Sequence, residues 1–152
     1  MIILYGSQTG NAESIAEELY NQVENTEKTL LSLDKSLDLF KDKKLIENKK
    51  LIIVCSTTGN GDIPINAEKW WRFIKNRKLE KNYLENITYY FLALGDSNYD
   101  QFCGAGKKIF KRLKDLNAIP LHNLITIDDV DGDYEEKIDY LIKLINNDSY
   151  KN

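Results

Sequence analysis

The residues best suited to chemistry form three polar turns, and the first is Tyr5-Gly6-Ser7-Gln8-Thr9-Gly10-Asn11-Ala12. Hydroxyl and amide side chains, with Gly6 and Gly10, stand where an apolar strand hands over to an amphipathic helix. Backbone N–H groups, side-chain donors and the positive end of the helix can converge there on an anion such as a phosphate. No lysine or arginine occurs before Lys28, so the turn must hold its anion with neutral dipoles. A P-loop would add a lysine, and the G-x-G-x-x-G spacing of a Rossmann turn is missing. The plainer alternative is an ordinary strand-to-helix loop capped by Asn11.

Two further turns share this composition. Ser56-Thr57-Thr58-Gly59-Asn60-Gly61-Asp62 ends the apolar run 51–55, and Leu94-Gly95-Asp96-Ser97-Asn98-Tyr99 ends the apolar run 88–94 and continues through Phe102, Cys103, Gly104 and Gly106. The elements that carry them read as βα units. Residues 2–5 form a strand, and Ala12, Ile15, Ala16, Leu19, Tyr20 and Val23 repeat at helical spacing. Residues 29–33 form a weaker strand, and 36–45 a short lysine-laced helix or irregular connection. The run 51–55 has the pattern of a strand buried on both faces of a parallel sheet. Ala67, Trp70, Trp71 and Ile74 mark a helix in which the two tryptophans read as core. Ile109, Phe110, Leu113 and Leu116 mark another helix. Residues 123–127 make a fifth strand, and Tyr134, Ile138, Leu141, Ile142 and Ile145 a last helix.

This alternation predicts an α/β fold: one doubly wound five-stranded parallel sheet, order 2-1-3-4-5, with helices on both faces and residues 1–152 as a single domain. Ligands of such sheets bind beyond the carboxyl ends of the strands, where the order reverses. All three polar turns open on that edge, which implies a ligand with a phosphate at one end and a large polar face at the other. A phospho-acceptor receiver would need an aspartate after the third strand, where this chain has Cys55 and Ser56.

Composition narrows the classes further. A chain of 152 residues with net charge −3 buries a core without staples, and its charge is too small to dictate a nucleic-acid partner. Cys55 and Cys103 form no C-x-x-C pair, and the lone His122 stands apart from both, so a structural metal site is not expected. His122 reads as a strand-edge residue, and Cys103 as a small loop residue rather than a redox thiol. No apolar run approaches the length of a membrane span, which gives the expectation of a cytoplasmic protein that meets no membrane. Asp128, Asp129, Asp131, Asp133, Glu135 and Glu136 form the densest acidic run.

Taken together, the three turns resemble those of the FMN domain of the diflavin reductases, a group that includes cytochrome P-450 reductase, sulfite reductase flavoprotein, methionine synthase reductase and the reductase that feeds iron-sulfur assembly. The resemblance runs from Ile3 to about the final helix. Cys55-Ser56-Thr57-Thr58-Gly59, then Trp71-Arg72-Phe73-Ile74 with Arg77-Lys78-Leu79, looks most like the iron-sulfur-assembly enzyme. Phe102-Cys103-Gly104-Ala105-Gly106-Lys107-Lys108 looks like methionine synthase reductase.

The resemblance implies a flavodoxin-like fold and FMN as cofactor. It matches Ser7, Gln8, Thr9, Gly10, Asn11 and Ala12 to the phosphate turn, and Ser56, Thr57, Thr58, Gly59, Asn60 and Gly61 to one face of the flavin ring. Leu94, Gly95, Asp96, Asn98, Tyr99, Phe102 and Cys103 match the turn of the other face, with Tyr99 as the stacking aromatic. Asp129 lies near the family's acidic position beside the flavin, and the register favours Asp128 equally. Cytochrome P-450 reductases place a second tyrosine where this chain has Thr58, so one ring face is expected to be less covered. The implied activity is a one-electron relay from an FAD/NADPH reductase module, in the same or a separate chain, to an iron-sulfur, cobalamin or haem protein docking on the acidic edge. No residue is expected to act as a general acid, base or nucleophile, and a monomer is expected. A stand-alone flavodoxin-type carrier, an FMN-dependent quinone reductase and a scaffold domain without FMN remain the alternatives.

Overall fold

The computed structural model describes residues 1–25 and 27–149. Its centre is β3 (Lys50–Cys55), in which every residue from Leu51 to Cys55 is fully buried. Alternation sends Leu51, Ile53 and Cys55 into one core and Ile52 and Val54 into the other. A strand apolar on both sides can lie only between two helical layers. On one flank β1 (Ile2–Gly6) pairs in parallel from Ile2↔Leu51 to Gly6↔Cys55, and β2 (Thr29–Ser32) follows outside it. On the other flank lies β4 (Thr88–Gly95), registered from Lys50↔Thr88 to Cys55↔Ala93.

The fifth position of the sheet differs from the expected continuous strand. It is filled by two short pieces, β5 (Ile119–Pro120) against Thr88 and Tyr89, and β6 (Ile125–Asp128) against Leu92 through Gly95. Ile119 and Leu121 donate their N–H groups to the Ile87 and Tyr89 carbonyls at 2.8 Å each, so the missing N–H of Pro120 falls on the open edge, and pairing with β4 lapses only after Leu121. The chain rejoins the sheet after His122, whose ring nitrogens lie 2.8 Å from the Asn123 carbonyl and 3.0 Å from the Tyr140 hydroxyl. All pairs are parallel and the order is 2-1-3-4-5.

One face of the sheet is covered by α1 (Asn11–Gln22) and α6 (Tyr134–Ser149), through Ile15, Leu19, Leu141 and Ile145. The other face carries the short α2 (Leu37–Lys41) and α3 (Lys43–Ile46) of the lysine-laced connection, then α4 (Glu68–Ile74) and α5 (Gly104–Asp115). Trp70 is fully buried in this second core, edge-on to Phe40 with ring centroids 5.3 Å apart, while Trp71 packs against its margin. Burying each such side chain stabilises the fold by roughly 1.5–3 kcal/mol. The chain direction therefore sends the turns after β1, β3 and β4 to one edge of the sheet. Among the described residues no helix is long and apolar enough to cross a membrane.

Candidate functional site

The turn between β1 and α1 is built from inside by its own polar groups. Ser7 is buried, and its hydroxyl accepts from the Gly10 N–H at 2.9 Å while its N–H donates to Asn66 Oδ1 at 2.7 Å. Gln8 Oε1 accepts from the Ile65 N–H at 3.1 Å. Gly10, not Asn11, is the N-cap of α1. It has φ +99°, a left-handed conformation that glycine adopts without a Cβ penalty, and among the described residues no side chain caps the helix. The first-turn N–H groups, beginning at Asn11, thus have no intrahelical acceptor and face outward with the positive end of the helix. Ser7, Gly10 and the fully buried Ala12 shape the turn, and Gln8, Thr9 and Asn11 present its surface.

The turn after β3 is a closed hairpin. Thr58 and Asp62 exchange backbone hydrogen bonds of 2.9 Å each, with Gly59 at φ +52° and Gly61 at φ +99° between them. Ser56 is tied to the first turn, its N–H donating to the Gly6 carbonyl at 2.9 Å. Thr58 Oγ1 is buried without a partner among the described residues. An unpaired hydroxyl out of water costs about 1–3 kcal/mol, and a bound polar ligand would relieve it. Ser56, Thr57, Thr58 and Gly59 line the cavity; Asn60 and Gly61 lie on the far side of the hairpin.

The turn after β4 supplies the opposite wall through Leu94, Gly95, Asp96 and the half-exposed Tyr99. Asp96 Oδ1 accepts from the Asn98 N–H at 2.8 Å, a turn that leaves Asn98 at the exposed tip, away from the cavity. Phe102 and Cys103, expected to line this loop, sit behind it. Phe102 packs on the core with the Lys107 amine 5.3 Å from its ring centre. Cys103 is fully buried at the start of α5, and burial pushes its thiol up to about 11. Its sulfur faces inward, 3.5 Å from the Ala93 carbonyl, because the strand end and helix start close over it. Sequence reasoning missed Gln101, which lines the cavity; its place two residues after Tyr99 in the same loop was the available signal.

Two neighbouring acids have different tasks. Asp128 ends β6 almost wholly buried, and its Oδ1 accepts from the N–H groups of Ser97 and Val130, both at 3.1 Å. Hydrogen bonding from the Ser97 side chain is the main cause that holds its carboxyl below the ordinary value, with the backbone N–H groups of Val130 and Ser97 adding to it. Asp129 is the one that lines the cavity. Burial, then the charges of Asp96 and Asp128, push its carboxyl up. Further along the acidic run, Asp133 pairs with Lys137 at 2.8 Å.

The three turns and Asp129 enclose one cleft of about 250 Å³ at the carboxyl edge of the sheet. Among the described residues no lysine or arginine lines it, so neutral dipoles occupy one end and carboxylates the other.

The flavodoxin family model matches residues 3–140. Over 121 residues the chain is 42% identical to NADPH-dependent diflavin oxidoreductase 1 of Xenopus laevis, covering 80% of this chain and 20% of that protein. It is 41% identical over 133 residues to methionine synthase reductase of Caenorhabditis elegans, covering 86% of this chain and 19% of that protein. The chain thus spans about a fifth of the length of these relatives. The solved structure of oxidised flavodoxin 2 from Bacillus cereus superposes with a TM-score of 0.74 at 23% identity, covering 95% of each chain, and shares the fold.

Proposed function

We propose that this chain, which belongs to the flavodoxin family, is an FMN-binding electron-transfer domain that relays electrons one at a time from an FAD/NADPH reductase module to a protein acceptor. Domains of this family bind FMN. The observation that carries the reading is the cleft itself: one cavity closed by all three polar turns, with a helix N-terminus and neutral donors at one end and an aromatic at its wall.

The residues present fit FMN. Thr9, Asn11 and Gln8 would hold the phosphate with the open N–H groups of α1, which need no cation. Tyr99 would cover one ring face, and Thr58 and Gly59 the other, where the unpaired Thr58 hydroxyl gains a polar neighbour. Asp129 would stand at the ring's edge and Asp128 would hold the loop that carries it. FMN supplies the one-electron chemistry; the chain binds it, orients it and excludes water, and no side chain needs to move a proton.

The acceptor is an iron-sulfur, cobalamin or haem protein, and the acidic rim of Asp62, Asp96, Asp129 and Asp131 steers its approach. The chain acts as a monomer in the cytoplasm, and residues 1–152 form one FMN domain. The test is to mix the chain with FMN, follow flavin fluorescence, and then add NADPH with and without a diflavin reductase's FAD/NADPH module. Quenched fluorescence with reduction only when the module is present is expected. Unquenched flavin removes the cofactor reading, and NADPH oxidation by the chain alone would make it a quinone-reductase-type enzyme instead.

A further inference from the structure

Among the described residues, the side-chain hydrogen bonds that tie residues 57–62 to the rest of the chain all run to one segment, 101–108. The Ala105 N–H donates to Thr57 Oγ1 at 3.3 Å, the Gln101 N–H to Asn60 Oδ1 at 3.1 Å, and the Lys108 amine to the Gly61 carbonyl at 2.8 Å. Backbone contact reinforces them: a Cβ on Gly104 would lie 2.8 Å from Gly61 Cα, and one on Gly61 would lie 2.9 Å from Gln101 Cβ. The hairpin is therefore seated on the start of α5 from its back, while Thr58 and Gly59 face the cleft from its front. Of the three ties, only the lysine carries a charge, and a charged donor makes the strongest kind of hydrogen bond to a carbonyl.

We infer that Lys108 is a positioning residue: by holding the Gly61 carbonyl from outside the cleft, it fixes the Thr58–Gly59 wall relative to the wall that carries Tyr99. The width of the slot between those walls is then set by a residue that touches no ligand. The consequence for the flavin ring rests on the FMN reading above. The clamp itself is a property of the chain without ligand.

The two parts are tested separately. In the FMN-free chain, amide hydrogen exchange is followed at Thr58 and Asp62, whose N–H groups close the hairpin. Lys108→Met keeps the aliphatic stem and removes the donor, and Lys108→Arg keeps a charged donor. The expected result is exchange at those two amides at least about tenfold faster in Lys108→Met, near wild type in Lys108→Arg, with the amides of α1 unchanged. Asn60→Ala, which cuts a second tie, should reproduce the pattern and serves in its place if Lys108→Met fails to fold. Rates at Thr58 and Asp62 within about twofold of wild type in Lys108→Met would overturn the clamp. With ligand, Lys108→Met should weaken FMN and riboflavin by the same factor and shift the spacing of the two one-electron potentials. Loss confined to FMN would instead make the lysine a long-range charge for the phosphate and overturn the positioning role. Failure of both flavins to bind the wild-type chain would sink the FMN reading, and the exchange result would still decide the clamp.

Discussion

The carboxylate of Asp128, at the end of β6, holds the backbone of Ser97 in the loop after β4, its Oδ1 accepting the Ser97 N–H at 3.1 Å. The loop that bears Tyr99 is thereby anchored from beneath by a charge outside the cleft. Because Asp128's carboxyl lies below its ordinary 3.8 in the folded chain, its stabilising contribution is complete above that pH and is lost as pH falls through the lowered value. Asp128→Asn keeps an acceptor for Ser97 and removes the titration. Thermal melts taken downward from pH 6 should therefore fall less steeply below about pH 4 in Asp128→Asn than in wild type. Asp128→Ala should melt lower at every pH, and identical acid limbs in wild type and Asp128→Asn would contradict the anchor.

Asp129 has the opposite sign. Burial, then Asp96 and Asp128, raise its carboxyl, so the ionised form is penalised as pH climbs from 3.8 through the raised value. Asp129→Asn should stabilise the FMN-free chain at pH 7 by less than ~1 kcal/mol, since solvent screens an exposed group. The gain should vanish at pH 3. Denaturant titrations at the two pH values measure it.

Most of this architecture was legible in the sequence, for physical reasons that vary by position. The β-branched run at 51–55 admits only a strand buried on both faces, and the sheet order then carries the three polar turns to one edge. Composition could not separate residues that face the cleft from those that hold the loop behind it. Cys103 and Phe102 lie in the right loop, but the end of β4 and the start of α5 close over Cys103 and leave its thiol facing the Ala93 carbonyl inside. Asn11 looked like a cap because its side chain suits one, yet Gly10 takes that place through its backbone conformation alone. The split of the fifth strand after Leu121 and the cross-loop tie of Lys108 depend on contacts between distant segments, which no local pattern records.

Two glycines should fail on substitution for different reasons. A Cβ on Gly106 would lie 2.4 Å from Ala93 Cβ, where α5 presses on β4. Gly106→Ala should cost about 1–3 kcal/mol by overpacking, read as a lower denaturant midpoint with an unchanged slope. A Cβ on Gly10 would meet nothing within 4 Å, but its φ of +99° disfavours any side chain. Gly10→Ala should cost only about 1–2 kcal/mol, and that loss should come with weaker FMN binding, whereas Gly106→Ala should leave the affinity of its folded fraction intact.

The assignment of the two ends of the cleft can be separated by comparing FMN with riboflavin, which lacks the phosphate. Thr9 lies at the α1 end, where the donors are, and Tyr99 at the wall. Thr9→Ala removes one neutral hydrogen bond and should weaken FMN by about 2–12-fold, the equivalent of ~0.5–1.5 kcal/mol, while riboflavin binding stays the same. Tyr99→Ala removes an aromatic stack and should weaken both flavins alike, by at least a similar factor, and shift the reduction potentials. Tyr99→Phe keeps the ring and should do neither. Isothermal titration of the two flavins against the three variants gives the answer directly. If Thr9→Ala weakened riboflavin as much as FMN, the phosphate would not lie at the β1–α1 turn, and the orientation of the ligand in the cleft would have to be reversed.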